Sequence, residues 1–354
     1  MAYTVANKHT DYFNTVLYTG TDAAKSVTGV GFQPDFTWIK TRSHGGTAFP
    51  HILTDAVRGV NKTLFTNTND AETTNYTNGY LSAFGTDGFT VTGQDAVSGI
   101  GRTYVGWNWK AGTTGSGTTT GSGYGKAYSY SVNTTAGFSI VKYVGNGTSG
   151  HQIPHHLGAV PTLAIIKKTD GTENWVYQSA DLGWGNRLYL DTTNTSASHT
   201  DFISSVSSTT FSLYTNGSVN SNDANYIAYI FTDIPGFSQH GIYRGNGIDD
   251  GTFIPLSFKP AFVLGKNTEQ GSDDWHIYDN KRSDSDGGNI LYKRLHPNSS
   301  GAETTTQNMG LDFYSNGFKI TDNLGAINNF NEFMVYMAFG QSLVGSNNIP
   351  STAR

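Results

Sequence analysis

Read as a pattern of apolar and polar positions, the chain repeats itself three times. An opening block, FNTVLYTGT at 13–21, returns as FSIVKYVGNGT at 138–148 and FSQHGIYRGNG at 237–247, aligning Tyr18, Tyr143 and Tyr243. A second block reads GFQPDFTWIK at 31–40, LGAVPTLAIIK at 157–167 and SFKPAFVLGK at 257–266. Pro34, Pro161 and Pro260 each stand six residues before Lys40, Lys167 and Lys266. The third block is DGFTV at 87–91, TTFSL at 209–213 and NGFKI at 316–320. The fourth is YVGWNW at 104–109, YIAYIF at 226–231 and MVYMAF at 334–339. Blocks in one order, three times over, mark an internal triplication with a period of roughly 100 residues.

Each block predicts a strand. In the fourth, Val105, Trp107 and Trp109 alternate onto one face, as do Ile227, Tyr229, Phe231 and Val335, Met337, Phe339. The other face carries Gly106, Ala228 and Ala338, so both faces are expected to be covered, as in an interior strand of a sandwich. The prolines of the second block fall at the strand start, where a missing N–H costs no ladder bond. Asp87-Gly88 and Asn316-Gly317 supply turns before the third-block strands. The expected fold class is all-β: three tandem diverged β-sandwich modules of jelly-roll or lectin-like type. Module 1 is placed at 1–110, module 2 at 128–235, module 3 at 236–345, and a polar tail at 346–354. The stretch AGTTGSGTTTGSGYG at 111–125 has the composition of a flexible linker, placed at 111–127.

Composition narrows the function classes. Charged residues are 14% of the 354 and aromatics 13%, with Gly, Thr, Ser and Asn abundant and a net charge of -5. An average soluble domain has roughly 25% charged residues. With no block of like charges, neither a nucleic-acid footprint nor a polybasic membrane anchor is expected. No window approaches the run of about 18 apolar residues that a spanning helix needs. The first residues lack the apolar core of a signal peptide, so service outside a cell would require lysis or a leaderless route. Absent cysteine excludes disulfides, thiolate zinc sites and a Cys nucleophile.

The candidate chemistry is sparse. Asp55 and Arg58 in module 1 match Asp279 and Arg282 in module 3, an Asp-x-x-Arg spacing read as a structural ion pair fixing a turn. Glu72 and Glu303 sit in matching Ala-Glu-Thr triplets, opposite Ser196, Ala197 and Ser198 of module 2. They are the only acids to nominate for a polysaccharide depolymerase, which needs two carboxylates about one bond. The histidines at 151–156 read as a surface loop rather than a metal site. IDDG at 248–251 and SDSDGGN at 283–289 offer hard oxygens near glycines, with calcium as the alternative to solvated loops. GSGYGKA at 121–127 lacks the first glycine and the Ser/Thr of a phosphate loop. No catalytic, cofactor-binding or metal-ligating residue is assigned, and no cofactor or enzymatic activity is expected.

DYFNTVLYTGT, DAVRGVNKTLFTNTNDAET and TYVGWNWKAG resemble a module widespread in structural proteins of tailed bacteriophages, especially marine and cyanobacterial phages. YRGNG, FKPAFVLGK, WHIYDNKR and MVYMAFGQSLVGS resemble its other variant. The resemblance covers nearly the whole chain and implies a virion location, exposed on the particle surface after assembly in the host cytoplasm. It implies a tail fibre or tail-associated appendage contacting the host, with a capsid decoration or head-appendage protein as the alternative and a depolymerase third. The partners implied are other virion proteins and a host-surface glycan, with homo-oligomerisation left open.

Overall fold

The computed structural model describes residues 5–6, 8–43, 46–74, 79–282 and 290–341. Nearly all regular structure is antiparallel sheet, and the sequence blocks are its strands. In each module the fourth-block strand lies between the first and second. Thr103–Trp109 pairs with Phe13–Thr19 and Phe36–Thr41, Asn225–Phe231 with Phe138–Val144 and Leu163–Lys168, and Phe333–Gly340 with Ser238–Arg244 and Pro260–Asn267. The register is the same each time: Trp107 stands between Thr15 and Trp38, Tyr229 between Ile140 and Ile165, Met337 between His240 and Leu264. One more strand follows on the second-block side: Ile52–Asp55, Val176–Ser179 and His276–Asp279.

The third-block strands centre a smaller sheet in each module. Gly88–Val91, Thr210–Leu213 and Gly317–Ile320 each pair on both sides and close a sandwich over the main sheet. A Cβ on Gly88 would come within 2.0 Å of the Val27 carbonyl oxygen, and one on Gly317 within 2.2 Å of that of Ile254. The glycines of the DG and NG pairs are therefore required by the close approach of the neighbouring strand. The aligned tyrosines also gain a reason. Tyr18, Tyr143 and Tyr243 each donate their hydroxyl to a carbonyl in the short helix of their own module, at Val97, Val219 and Ile327 (2.9, 2.8 and 2.7 Å). A buried Tyr hydroxyl needs such a partner.

The main sheets are covered on both faces, as the alternation predicts, but their inner faces are covered by one another. Side chains such as Tyr104, Tyr226 and Tyr336 enter the separate cores of their own sandwiches. The alternate positions, including Trp107, Trp109, Tyr229, Phe231, Met337 and Phe339, enter one apolar core shared by all three modules. Phe339 of module 3 lies 5.2 Å from Phe13, 5.6 Å from Trp109 and 5.8 Å from Phe231, ring to ring, so the three sheets meet there. The modules close into a three-part body around a common centre. They are not beads in a row.

The expected linker is corrected for the same reason. Ala111 is buried in the shared core, Thr113–Thr118 pairs with Ala127–Asn133, and Thr120–Gly121 pairs with His151–Pro154. Residues 111–127 thus extend the sheets of module 2. Gly115 and Gly117 lie beneath the rings of Tyr130 and Tyr128, leaving no room for a Cβ at either place. The glycine content that reads as flexibility is what lets tyrosines cross a strand.

Candidate functional site

The polar residues that the sequence singles out converge on the seams between modules. Asp55 and Arg58 lie at the end of Ile52–Asp55, and Asp279 and Arg282 at the end of His276–Asp279. Each Asp accepts from its Arg Nε (2.5 and 2.6 Å), with all four side chains buried. The arginines also donate to backbone carbonyls of Leu53 (3.2 Å) and Ile277 (2.9 Å), and to Glu72 and Glu303 (3.0 Å each). Each buried charge is therefore paired and its remaining donors are used, which makes such burial tolerable.

Each bracket then reaches across a seam. The Tyr229 hydroxyl of module 2 donates to Asp55 (2.8 Å), and the Trp107 indole of module 1 donates to Asp279 (2.9 Å). Tyr229 and Trp107 occupy the same register position in their modules. The third such residue is Met337, which has no donor, and module 2 carries Ser179 and Leu182 where the others carry Asp and Arg. Glu303 adds a fork to Arg42 of module 1 (2.9 Å to both oxygens). Burial alone would raise the Glu303 carboxyl, but Arg42 and Arg282 override it and hold the group below the usual carboxylate range.

The lysines that close the second blocks form the other half of each seam. Lys167 donates to the Asn69 carbonyl of module 1 (3.2 Å), Lys266 to that of Thr193 in module 2 (3.0 Å), and Lys40 to that of Ser300 in module 3 (3.2 Å). All three are buried, and burial lowers Lys40 to about 7 and Lys167 and Lys266 to about 8. Two residues beyond each lysine a backbone carbonyl accepts from the same neighbouring loop: Thr169 from Glu72, Thr268 from Ser196, Arg42 from Glu303 (2.8, 2.7 and 3.0 Å). These bonds make Ser196 the counterpart of Glu72 and Glu303, one residue away from the triplet alignment, in which Ala197 held that place. Trp175 and Trp275 further donate to the carbonyls of Phe65 and Tyr189 across their seams (2.9 Å each).

The remaining candidates are bound up locally. His151 bonds Asn220 (3.0 Å) and Thr119 (2.7 Å), His155 bonds the Ser207 carbonyl (3.1 Å), and His156 stacks on Tyr130 with centroids 3.7 Å apart. The 151–156 segment is thus largely an interior strand end. It is not a surface loop. Asp250 pairs with Lys319 on the surface, and residues 283–289 lie outside the described residues. Among the described residues no group of three or more His, Asp or Glu is placed to hold a metal ion. The cavity at the shared centre, about 20 Å³ between residues such as Trp38, Tyr229 and Phe262, has room for little more than one water-sized molecule. An open cleft along the seam of modules 1 and 2 is lined by Asp70, Glu72, Thr73 and Thr172, but its Glu72 is already held by Arg58 and Lys62.

The sequence did not point to the loop tips. Ile100 and Phe330, each two residues past the short helix of its module, are 71% and 74% exposed. Ile248, in the loop after Ser238–Arg244, is 55% exposed. Tyr124 is 89% exposed and is held by Asn146 in the corresponding loop of module 2. Comparing modules 1 and 3 at the turn before the fourth block was the available signal for Ile100 and Phe330.

The chain belongs to a domain family of unknown function, DUF7483, whose family model matches residues 8–342. That match takes in all three modules together. No curated protein and no solved structure matches the chain.

Proposed function

We propose that this protein is a structural component of a tailed-phage virion, a tail fibre or tail-associated appendage that contacts the host surface. The observation that carries the reading is the set of exposed apolar residues on turns, Ile100 and Phe330 at the same turn of modules 1 and 3 and Tyr124 and Ile248 on other loops, of a body whose interior is given over to packing. Isolated exposed apolar residues are ordinary, but the recurrence of Ile100 and Phe330 at one turn in two of the three repeats supports a contact surface. The resemblance of the blocks to modules of tailed-phage structural proteins supports a virion location, and a host-surface glycan is the ligand class that aromatic and polar loops suit.

The test is binding of the purified chain to host cells and envelope glycans, beside a Tyr124→Ser, Phe330→Ser variant. Binding that drops in the variant supports the reading; no binding by the native chain overturns it. Immunogold labelling of virions separates the alternatives: gold on the tail fits an appendage, and gold over the head makes this a capsid decoration protein.

A further inference from the structure

The three seams share one contact, and one of them makes it with different chemistry. Trp175 and Trp275, the residues before Val176 and His276, donate across their seams to the carbonyls of Phe65 and Tyr189. Module 1 has His51 at that place, before Ile52. The residue it meets is also a histidine. Phe65, Tyr189 and His296 each follow a leucine, Leu64, Leu188 or Leu295, that pairs with the matching strand residue Leu53, Tyr177 or Ile277. The His51 ring of module 1 accordingly lies against the His296 backbone of module 3. Two seams thus set a tryptophan on a phenylalanine or a tyrosine, and the seam of modules 3 and 1 sets a histidine on a histidine. His276 brings a third ring, with its centroid 4.9 Å from that of His296.

The cluster is built for neutral rings. Indole nitrogen only donates, and Trp38 Nε1 donates to His51 Nδ1 (2.9 Å), so that nitrogen is the unprotonated one. A proton added there would face the Trp38 N–H and break the bond. His296 Nδ1 donates to the Trp275 carbonyl (2.9 Å), and His276 has neither ring nitrogen partnered among the described residues. The charges facing the rings are mostly positive: Lys40 and Arg282 at His51, Arg294 and Lys266 at His276, Arg294 and Arg282 at His296. Asp274 lies 3.8 Å from His296 Nδ1, while Asp279 and Glu303 are already engaged by Arg282. Burial, then Lys40 and His296, holds His51 well below 6.5. His240, which touches Phe231 of module 2, rests instead on Asp233 (2.7 Å), where a carboxylate meets any added proton.

His296 also begins the loop by which module 3 grips module 1. Pro297 O accepts from Thr66 (2.9 Å), Ser300 O from Lys40 (3.2 Å), and Glu303 holds the Arg42 fork. Modules 1 and 3 are the one pair not consecutive in the chain, so their seam parts without straining a connection. We propose that this loop is a latch released by mild acid: protonation of the His51–His296 pair frees residues 296–304 of module 3 from module 1 while the other two seams stay closed. The freed rings take up a proton near 6.5 and the closed ones only well below it, so acidification favours the open form. Glu303, held below the carboxylate range by its arginines, keeps its charge at pH 5. The seam lysines recur at all three seams, which leaves the histidines to set this one apart. The proposal is independent of the host-contact reading.

The test uses the full chain and one amide per seam: Glu303, Glu72 and Ser196, whose N–H groups bond equivalent carbonyls across the three seams. Hydrogen exchange of each, divided by its intrinsic rate, is compared at pH 7.5 and pH 5. One histidine protonated only on opening lowers protection about thirtyfold over that interval. Glu303 should lose that much or more, and Glu72 and Ser196 about threefold or less. His51→Gln still accepts from Trp38 and carries no charge, and should hold the Glu303 loss to about threefold. His296→Tyr, which installs the residue of module 2, serves as the second variant and should also reduce the loss. Equal losses at all three amides overturn the proposal, because they report general acid unfolding. No loss at Glu303, or a full loss in both variants, overturns it as well.

Discussion

Modules 1 and 3 pin the end of one strand with a buried Asp–Arg–Glu bracket, whereas module 2 places Ser179 and Leu182 at the same point. The backbone is the same and the chemistry is opposite. The difference follows the residue that arrives from the next module around the centre. Where that residue is Tyr229 or Trp107, a donor arrives and an aspartate accepts it. Where the equivalent residue is Met337, no donor arrives and the site is uncharged, with Ser179 and Leu182 in place of Asp and Arg. A position inside one repeat is thus set by its neighbour, so the seams, and not the modules alone, have diverged together.

The largest effect expected from breaking this comparison is that of Arg282→Leu alone. It leaves Asp279 and Glu303 buried with half their partners removed, and urea unfolding should show a loss of about 3–5 kcal/mol. The three lysines, common to all seams, come next. Lys40 falls from 10.5 in the unfolded chain to about 7 when folded, so between those values the unfolded chain holds protons that the folded protein has released. Stability therefore rises with pH across that window, on the order of a few kcal/mol, with the full burial penalty present below it. Lys40→Met should flatten the rise in unfolding free energy measured from pH 7 to 10.

A sharper test transplants the solution of module 2. Arg282→Leu combined with Asp279→Ser and Glu303→Ser should recover part of the loss, leaving about 1–2 kcal/mol because the Trp107 indole keeps no charged acceptor and Arg42 loses its fork to Glu303. A triple variant no better than Arg282→Leu alone would refute the idea that neighbour and bracket are matched.

The smallest effect concerns His276. Modules 1 and 2 have Ile52 and Val176 at this position, while His276 is buried with neither ring nitrogen partnered among the described residues. Burial, with His296 and Arg294 nearby, holds it well below 6.5. The unfolded chain takes up a proton as pH falls through 6.5 and the folded one does not, so stability drops on acidification. His276→Val should add about 1–2 kcal/mol at neutral pH and more at pH 5, read from thermal or urea midpoints.

The candidate site was half legible. The spacing of Asp55 with Arg58 and of Asp279 with Arg282 stands out in one dimension, because the pair is local. Its partners Tyr229 and Trp107 lie 174 and 172 residues away from Asp55 and Asp279, and no local pattern links them. The lysines recur visibly, yet their acceptors are backbone carbonyls, which every residue has and no sequence pattern displays. The reading of 111–127 as a linker failed because Gly-Ser-Thr composition is shared by flexible chain and by strands crossing beneath aromatic rings.

By itself the sequence determined the four block strands of each module, their order and their threefold recurrence, because alternation and turn chemistry act within a few residues and survive divergence. The tertiary structure decided what covers the second face of each main sheet. Alternating Trp, Tyr, Phe and Met declare that a face must be buried, since leaving such area in water costs roughly 25 cal/mol per Å². The hydrophobic effect has no direction, however, and does not say against what. Only the closed arrangement of three modules supplied the answer: each buries its inner face against the other two.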